Sequence, residues 1–320
     1  MRSLVTRPLG RLVASLGAGG RARRLVAPCL ALCAAGSLAS AGDAGGREYS
    51  AYADPEKPVI SFLLSEDGNI QDFRETFDLD DRETEKVLSI VRAENERLAE
   101  EYAESEEIVA ANRSLPDEEV SGKIEASDYE ETVVSAVEKT KDGVAALLPD
   151  SERDRLAAWV DERWRQEVVE ASEGGSGRVV ESKGRRTLVC DKIFATQYDG
   201  YTRFEAALPH RKLKFGGRPE VPIIRGKRSI RPRIKEVGPW NTYDNYWRSG
   251  KQRDMWKDLR RCVPEARAAY FNGYNDGKDE FGRKVLNPAG VDLTPRAARR
   301  LGLDRYQNAY VAVRFPFVQR

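Results

Sequence analysis

The sequence predicts an α+β chain: an N-terminal α-helical bundle followed by a small, strand-rich mixed barrel of about six strands. Three observations carry this. Residues 47–175 hold 36 acids against 15 bases and residues 176–320 hold 15 acids against 32 bases, so a formal net charge of +1 conceals two halves of opposite sign. The acidic half carries one-faced apolar stripes at helical spacing. The basic half carries short β-rich runs bounded by Gly, Pro or Asp. Such asymmetry marks separate domains with different partners. The expected divisions are a signal peptide at 1–41, a linker at 42–60, an acidic helical bundle at 61–172, a Gly-rich linker at 173–187 and a basic barrel at 188–320.

Residues 1–24 contain Arg2, Arg7, Arg11, Arg21, Arg23 and Arg24 and no acid. An apolar stretch from Leu25 to Leu38 follows, and Ala39-Ser40-Ala41 has the small-x-small form of a signal-peptidase site. An apolar core of about 14 residues is too short for a permanent membrane helix, which needs about 20. Pro28 and Leu32 precede Cys29 and Cys33 where a lipidation site wants a small residue. The expectation is export, with the mature protein secreted or associated with the cell wall.

In the acidic half a helix starts at Asp80-Asp81, with Val87, Leu88, Ile90, Val91, Leu98 and Tyr102 on one face. Ser127 and Glu130 have capping-box spacing and open a second helix, whose buried positions are Val133, Val134, Val137, Val144, Leu147 and Leu148. Pro149-Asp150 breaks it. A third helix over 151–171 carries Leu156, Trp159, Val160, Trp164 and Val168, with both tryptophans read as core. Three amphipathic helices with short connections predict an antiparallel bundle, and its acidic face is left for a protein partner of unknown identity. The run Glu173-Gly174-Gly175-Ser176-Gly177 reads as flexible linker.

In the basic half, strands are predicted at 188–196, 221–224, 229–236 and 308–315. Short helices are predicted at 264–271, closed by Gly273, and at 295–301, closed by Gly302. Pro222 and Pro232 fall inside strand-like runs, so those segments should be edges or carry bulges. Thr294 is placed to cap the last helix and Pro295 to occupy its first turn. Cys190 and Cys262 are compatible with one disulfide or with two separate buried thiols. With one histidine and no C-x-x-C pair, a structural zinc or multi-histidine metal site is not expected, and no cofactor is implied. The run from Asn275 to Glu280 lacks the alternating acids of a calcium loop and reads as a solvated turn. No phosphate-binding loop, dinucleotide fingerprint or nucleophile elbow is present.

Two motifs, Lys235-Glu236-Val237-Gly238-Pro239 and the Gly290-Val291-Asp292-Leu293-Thr294-Pro295 run entering an Ala-rich helix ending Leu301-Gly302-Leu303, are similar to motifs of the rare lipoprotein A-like double-psi β-barrel. That family is related to the expansins, and its members bind or cleave cell-wall polysaccharide. The resemblance covers about 188–318 and implies a six-stranded double-psi barrel. It also implies Glu236 in place of the family's aspartate acid/base and His210 in place of the family's upstream histidine. Gly238, Pro239 and Asp292 would be structural, Asp292 by satisfying backbone donors at the barrel–helix turn. Glu for Asp lengthens the acid by one methylene, and Val237 stands where the family has Arg.

Lytic transglycosylation requires a carboxyl that protonates the glycosidic oxygen and then, as base, helps an internal hydroxyl attack the sugar carbon; burial raises its pKa for that task. Glu236 beside Val237 and Trp240 fits this. Among Arg231, Arg233 and Lys235 it equally fits a solvent-facing glutamate. The stretch from Trp240 to Phe281 concentrates aromatics among Asn and Asp residues, a composition suited to stacking on sugar rings. Trp240, Tyr243, Tyr246, Trp247 and Tyr274 are the candidate platform, though about half of these rings must supply the insertion's own core. The expected partner is peptidoglycan or another anionic wall polymer; export argues against nucleic acid. Three functions are consistent with this pattern: a peptidoglycan lytic transglycosylase, a non-catalytic expansin-like binding module, and an envelope interaction protein acting through the helical half.

Overall fold

The computed structural model describes residues 49–173, 177–182, 184–199 and 204–318. The expected signal peptide lies outside these residues. Ser50–Arg320 forms one compact unit. Six helices precede the sheet: α1 (Val59–Leu63), α2 (Asp67–Thr76), α3 (Asp81–Ala111), α4 (Asp117–Glu125), α5 (Tyr129–Leu147) and α6 (Arg153–Glu173). The sequence pattern reveals three of them; α1, α2 and α4, at five to ten residues, are too short to set up a legible period. Helix α3 begins in a capping box, Asp80 accepting from the Glu83 backbone and Glu83 from that of Asp80. The box expected at Ser127 does not form: Asp128 is the N-cap of α5, and the Ser127 hydroxyl donates to the Ile124 carbonyl. Residues 49–58 are not free linker. Ala51 is buried, and the Tyr52 N–H donates to Asp161 of α6.

The second part contains β1 (Gly177–Ser182), β2 (Arg185–Gln197), β3 (Glu205–Leu208), α7 (Arg211–Phe215), β4 (Ile223–Arg225), β5 (Arg228–Ile230) and β6 (Arg233–Val237). It continues with α8 (Glu265–Asn272), β7 (Ala289–Leu293), α9 (Pro295–Arg300) and β8 (Ala309–Phe315). Where a Gly-rich linker is expected over 173–187, α6 runs to Glu173 and β1 pairs antiparallel with β2 from Gly177↔Cys190 to Ser182↔Arg185.

The strand order is β5-β4-β8-β2-β7-β3-β6, with β1 added on β2. The β2–β7 and β3–β6 pairs are parallel and the others antiparallel, so the sheet is mixed. Its two outer strands, β5 and β6, are joined by Arg231-Pro232 alone, so the sheet must curl. The Val221 N–H donates to the Pro232 carbonyl and the Ile234 N–H to the Pro219 carbonyl across that junction. Pro222 and Pro232 sit at strand ends, where a missing donor costs the ladder nothing.

Apolar side chains inside the curl, including Val189's neighbours Leu188 and Cys190, Ile234, Val291, Val313 and Phe315, form the sheet core. A second core joins Phe62 and Trp164 of the helices to Phe194, Tyr270 and Phe271 of the sheet part. There Trp164 stacks on Phe271 at 5.3 Å, and Phe62 meets Phe194 at 5.4 Å.

Candidate functional site

The register of four neighbouring strands builds the site. Thr196 pairs with Asp292, Asp292 with Ala207, and Ala207 with Glu236. These four residues form a row across β2, β7, β3 and β6, and all four line one cleft of about 480 Å³. Two strand spacings, about 9–10 Å of backbone, separate the two carboxylates, and the methyl of Ala207 leaves the space between them open. The opposite wall is α3, with Leu98, Ala99, Tyr102, Ala103 and Glu106; Phe62 of α1, Trp240, Asn287 and Tyr306 are also among the lining residues.

Asp292 is the one acid in an otherwise apolar, fully buried strand. Burial pushes its carboxyl up to about 7, the nearby Glu106 charge adds to the rise, and a hydrogen bond from the Thr196 hydroxyl opposes it. Its partner among the described residues is thus a side chain, not the backbone donors expected from the sequence. Gly238, at φ 136°, turns the chain next to this carboxyl. A Cβ there would sit 3.9 Å from Asp292 Oδ2 and 3.7 Å from the Tyr102 hydroxyl. The Gly238–Pro239 peptide is cis, and the Trp240 N–H that follows donates to Tyr102 Oη at 2.8 Å.

Glu236 lines the cleft, but its carboxylate is held by Lys214 of α7 and is partly exposed. Its partner is therefore a lysine other than the three cations flanking it in sequence. His210 does not share the cleft among the described residues. It is buried beside Trp247, with Nε2 3.1 Å from Asp254 Oδ2, and burial lowers its pKa. The aromatic platform also divides. Trp240 is buried but lines the cleft, its indole N–H donating to Asn287. Tyr246 and Trp247 are corrected to core: they are 0% and 3% exposed, and Trp247 stacks on Phe315 at 4.9 Å, so neither offers a face to a ligand. Tyr243 is exposed away from the cleft under Arg211, and Tyr274 donates to Asp258.

Cys190 and Cys262 form a disulfide with Cα atoms 5.3 Å apart. Among the described residues no group of three or more His, Cys, Asp or Glu is placed to hold a metal ion, and no helix is long and apolar enough to cross a membrane. In the run read as a solvated turn, Asp279 is instead buried against Arg283, and the Glu280 carboxylate accepts from Thr242.

Thr196, Tyr198 and Glu106 are cleft residues that the sequence pattern does not single out, and Tyr102 is read from it only as part of the apolar face of α3. A lone acid within an apolar strand is the signal that marks Asp292; the others depend on strand register and on how α3 packs.

A family model described as Domain of unknown function (DUF8814) matches residues 184–314. The match runs from the start of β2 into β8, so it takes in Thr196, Glu236 and Asp292 but none of α1–α6. No curated protein and no solved structure matches the chain.

Proposed function

We propose that this is an exported cell-envelope protein whose curled sheet is a double-psi β-barrel-like module that holds a glycan strand in the Asp292 cleft and cleaves it. The observation that carries this is the buried Asp292–Thr196 pair lining the cleft: a carboxyl that keeps its proton up to about pH 7 is a general acid at neutral pH. In the reaction Asp292 gives that proton to the glycosidic oxygen as the C–O bond breaks. The resulting carboxylate then takes the proton of a sugar hydroxyl that closes on the same carbon, releasing an anhydro sugar end. Burial favours Asp292 for the role that the resemblance gives to Glu236, and the Thr196 hydroxyl orients its carboxyl. Glu236, held by Lys214, serves to accept hydrogen bonds from sugar hydroxyls.

A non-catalytic binding module is the second reading. It is favoured by that same commitment to Lys214 of Glu236, the residue to which the resemblance gives the acid/base role. Purified peptidoglycan separates the two. Release of anhydro-muropeptides by the wild type should fall by at least about 10²-fold in Asp292→Asn, with sedimentation on the insoluble wall unchanged. Glu236→Gln should cost release much less. A wild type that sediments with the wall and releases nothing leaves only the binding module.

A further inference from the structure

The cleft is not an open groove. Helix α3 stands over the Thr196–Asp292–Ala207–Glu236 row and is fixed at both ends of it. Asn95 Nδ2 donates to the Tyr306 carbonyl at 2.9 Å, while the Tyr102 hydroxyl accepts from the Trp240 N–H at 2.8 Å. Buried Arg283 ties the same end down, donating to Ser105 Oγ at 3.3 Å, to Glu106 and to the Trp240 carbonyl at 2.7 Å. Asn95 and Ser105 are ten positions apart, about 15 Å of helix. Between them Ala99 and Ala103, one turn apart, face the sheet across the cleft, and their small side chains create its volume. Phe62 and Pro58 of the α1 segment close a further side.

The polar lining is one-sided. Glu100, Glu106, Asp199, Glu236 and Asp292 are its acids, and no lysine or arginine is among the described residues that line the cleft. The cations that pair with three of these acids, Arg283, Arg305 and Lys214, lie outside the lining. Gln197 Oε1 and the Tyr198 hydroxyl are buried at the cleft and have no hydrogen-bond partner among the described residues. Groups in this state await a ligand that brings donors. Hydroxyls and amides do so; a ligand carboxylate or phosphate would meet an acid-rich lining whose neighbouring cations are each already committed to one of its acids.

We infer that the cleft takes the end of a glycan chain, one or two amino-sugar rings deep, and disfavours rings that carry a free carboxylate or phosphate. This rests on the saccharide reading above and adds to it both the mode of entry and the charge of the ring bound. A volume of about 480 Å³ is in the range that encloses a small ligand rather than a polymer laid across the sheet.

The test uses β-1,4-linked N-acetylglucosamine oligomers of increasing length, titrated into the whole protein while tryptophan fluorescence and heat are recorded. Affinity should rise about tenfold or more from one ring to two and then change less than about twofold up to six. An oligomer of the same length ending in a uronic acid should bind at least about tenfold more weakly. Ala103→Phe should abolish binding with the circular dichroism spectrum unchanged; Ala99→Leu is the milder filling variant should Ala103→Phe unfold. Affinity that climbs steadily to six rings, or equal binding of the uronic-acid oligomer, overturns this inference and leaves the saccharide reading intact. Absence of binding by every oligomer and by the insoluble wall overturns both.

Discussion

Asp292 and Glu94 are carboxyls with the same physical problem and different surroundings. Glu94 is wholly buried in α3, away from the cleft; burial pushes its pKa to about 8, against hydrogen bonds from Ser61 and Thr140. Its folded pKa lies above the ordinary glutamate value, so the folded state holds a proton that the unfolded chain gives up. The associated stability is complete below about pH 4.3 and is lost as pH rises towards 8. Glu94→Gln removes this loss, so the variant should gain on the wild type by about 3 kcal/mol at pH 7 and by almost nothing at pH 4. Urea unfolding at the two pH values checks it, and an equal difference at both would remove the proton from the explanation. For Asp292 the same sign governs activity. The acid works while protonated, so turnover should decline as pH rises through about 7. A rate that rises across that range would exclude Asp292 as the proton donor.

At the scale of elements, a buried cation is one of the links by which α3 joins the two parts. Arg283 is 0% exposed. It pairs with the equally buried Asp279, reaches Glu106 and Ser105 on α3, and lies 4.7 Å over the Tyr102 ring. Removing one partner of such a pair strands the other charge. Arg283→Ala should therefore destabilise the protein by about 3–5 kcal/mol, and Arg283→Met with Asp279→Asn by clearly less. If the double variant is no better than the single one, the stranded charge is not the cost. None of this cluster is visible in the residue pattern. The Asp80-Asp81 start of α3, the left-handed Gly273 that ends α8 and the Pro295 start of α9 were legible because each rests on a few neighbouring residues. The site was half legible. Glu236 and Asp292 stand out in their motifs, yet which of them is buried depends on Lys214, 22 positions from Glu236, and on Thr196, 96 positions from Asp292. Tyr246 and Trp247 look like a ligand platform by composition, because burial is set by Phe315 at the far end of the chain.

For the whole molecule, the opposite charges of the two halves invite the expectation that salt would release one from the other. The junction argues otherwise. Ion pairs such as Arg225–Asp67 at 2.8 Å lie at its edge, but its centre is the aromatic cluster of Phe62, Trp164, Phe194, Tyr270 and Phe271. Apolar contact of this kind does not weaken with screening. Small-angle scattering should give equal dimensions at low salt and at about 0.5 M, where the Debye length is a few ångströms. An expansion at high salt would put the electrostatic account back in place. The disulfide acts on the same cooperative unit. It closes a loop of 72 positions, and in the chain-entropy account constraining the unfolded state over that length is worth about 4 kcal/mol. Cys190 and Cys262 are both buried in the sheet core, so the bond holds β2 to the base of the 240–263 segment. Reduction should lower the melting temperature by about 10 °C for a unit of this size, in one transition shared by helices and sheet. Thiol titration of the unfolded, unreduced chain lacking residues 1–41 should find no free thiol. Two free thiols there, or two separate melting transitions, would mean that the bond or the shared core is absent.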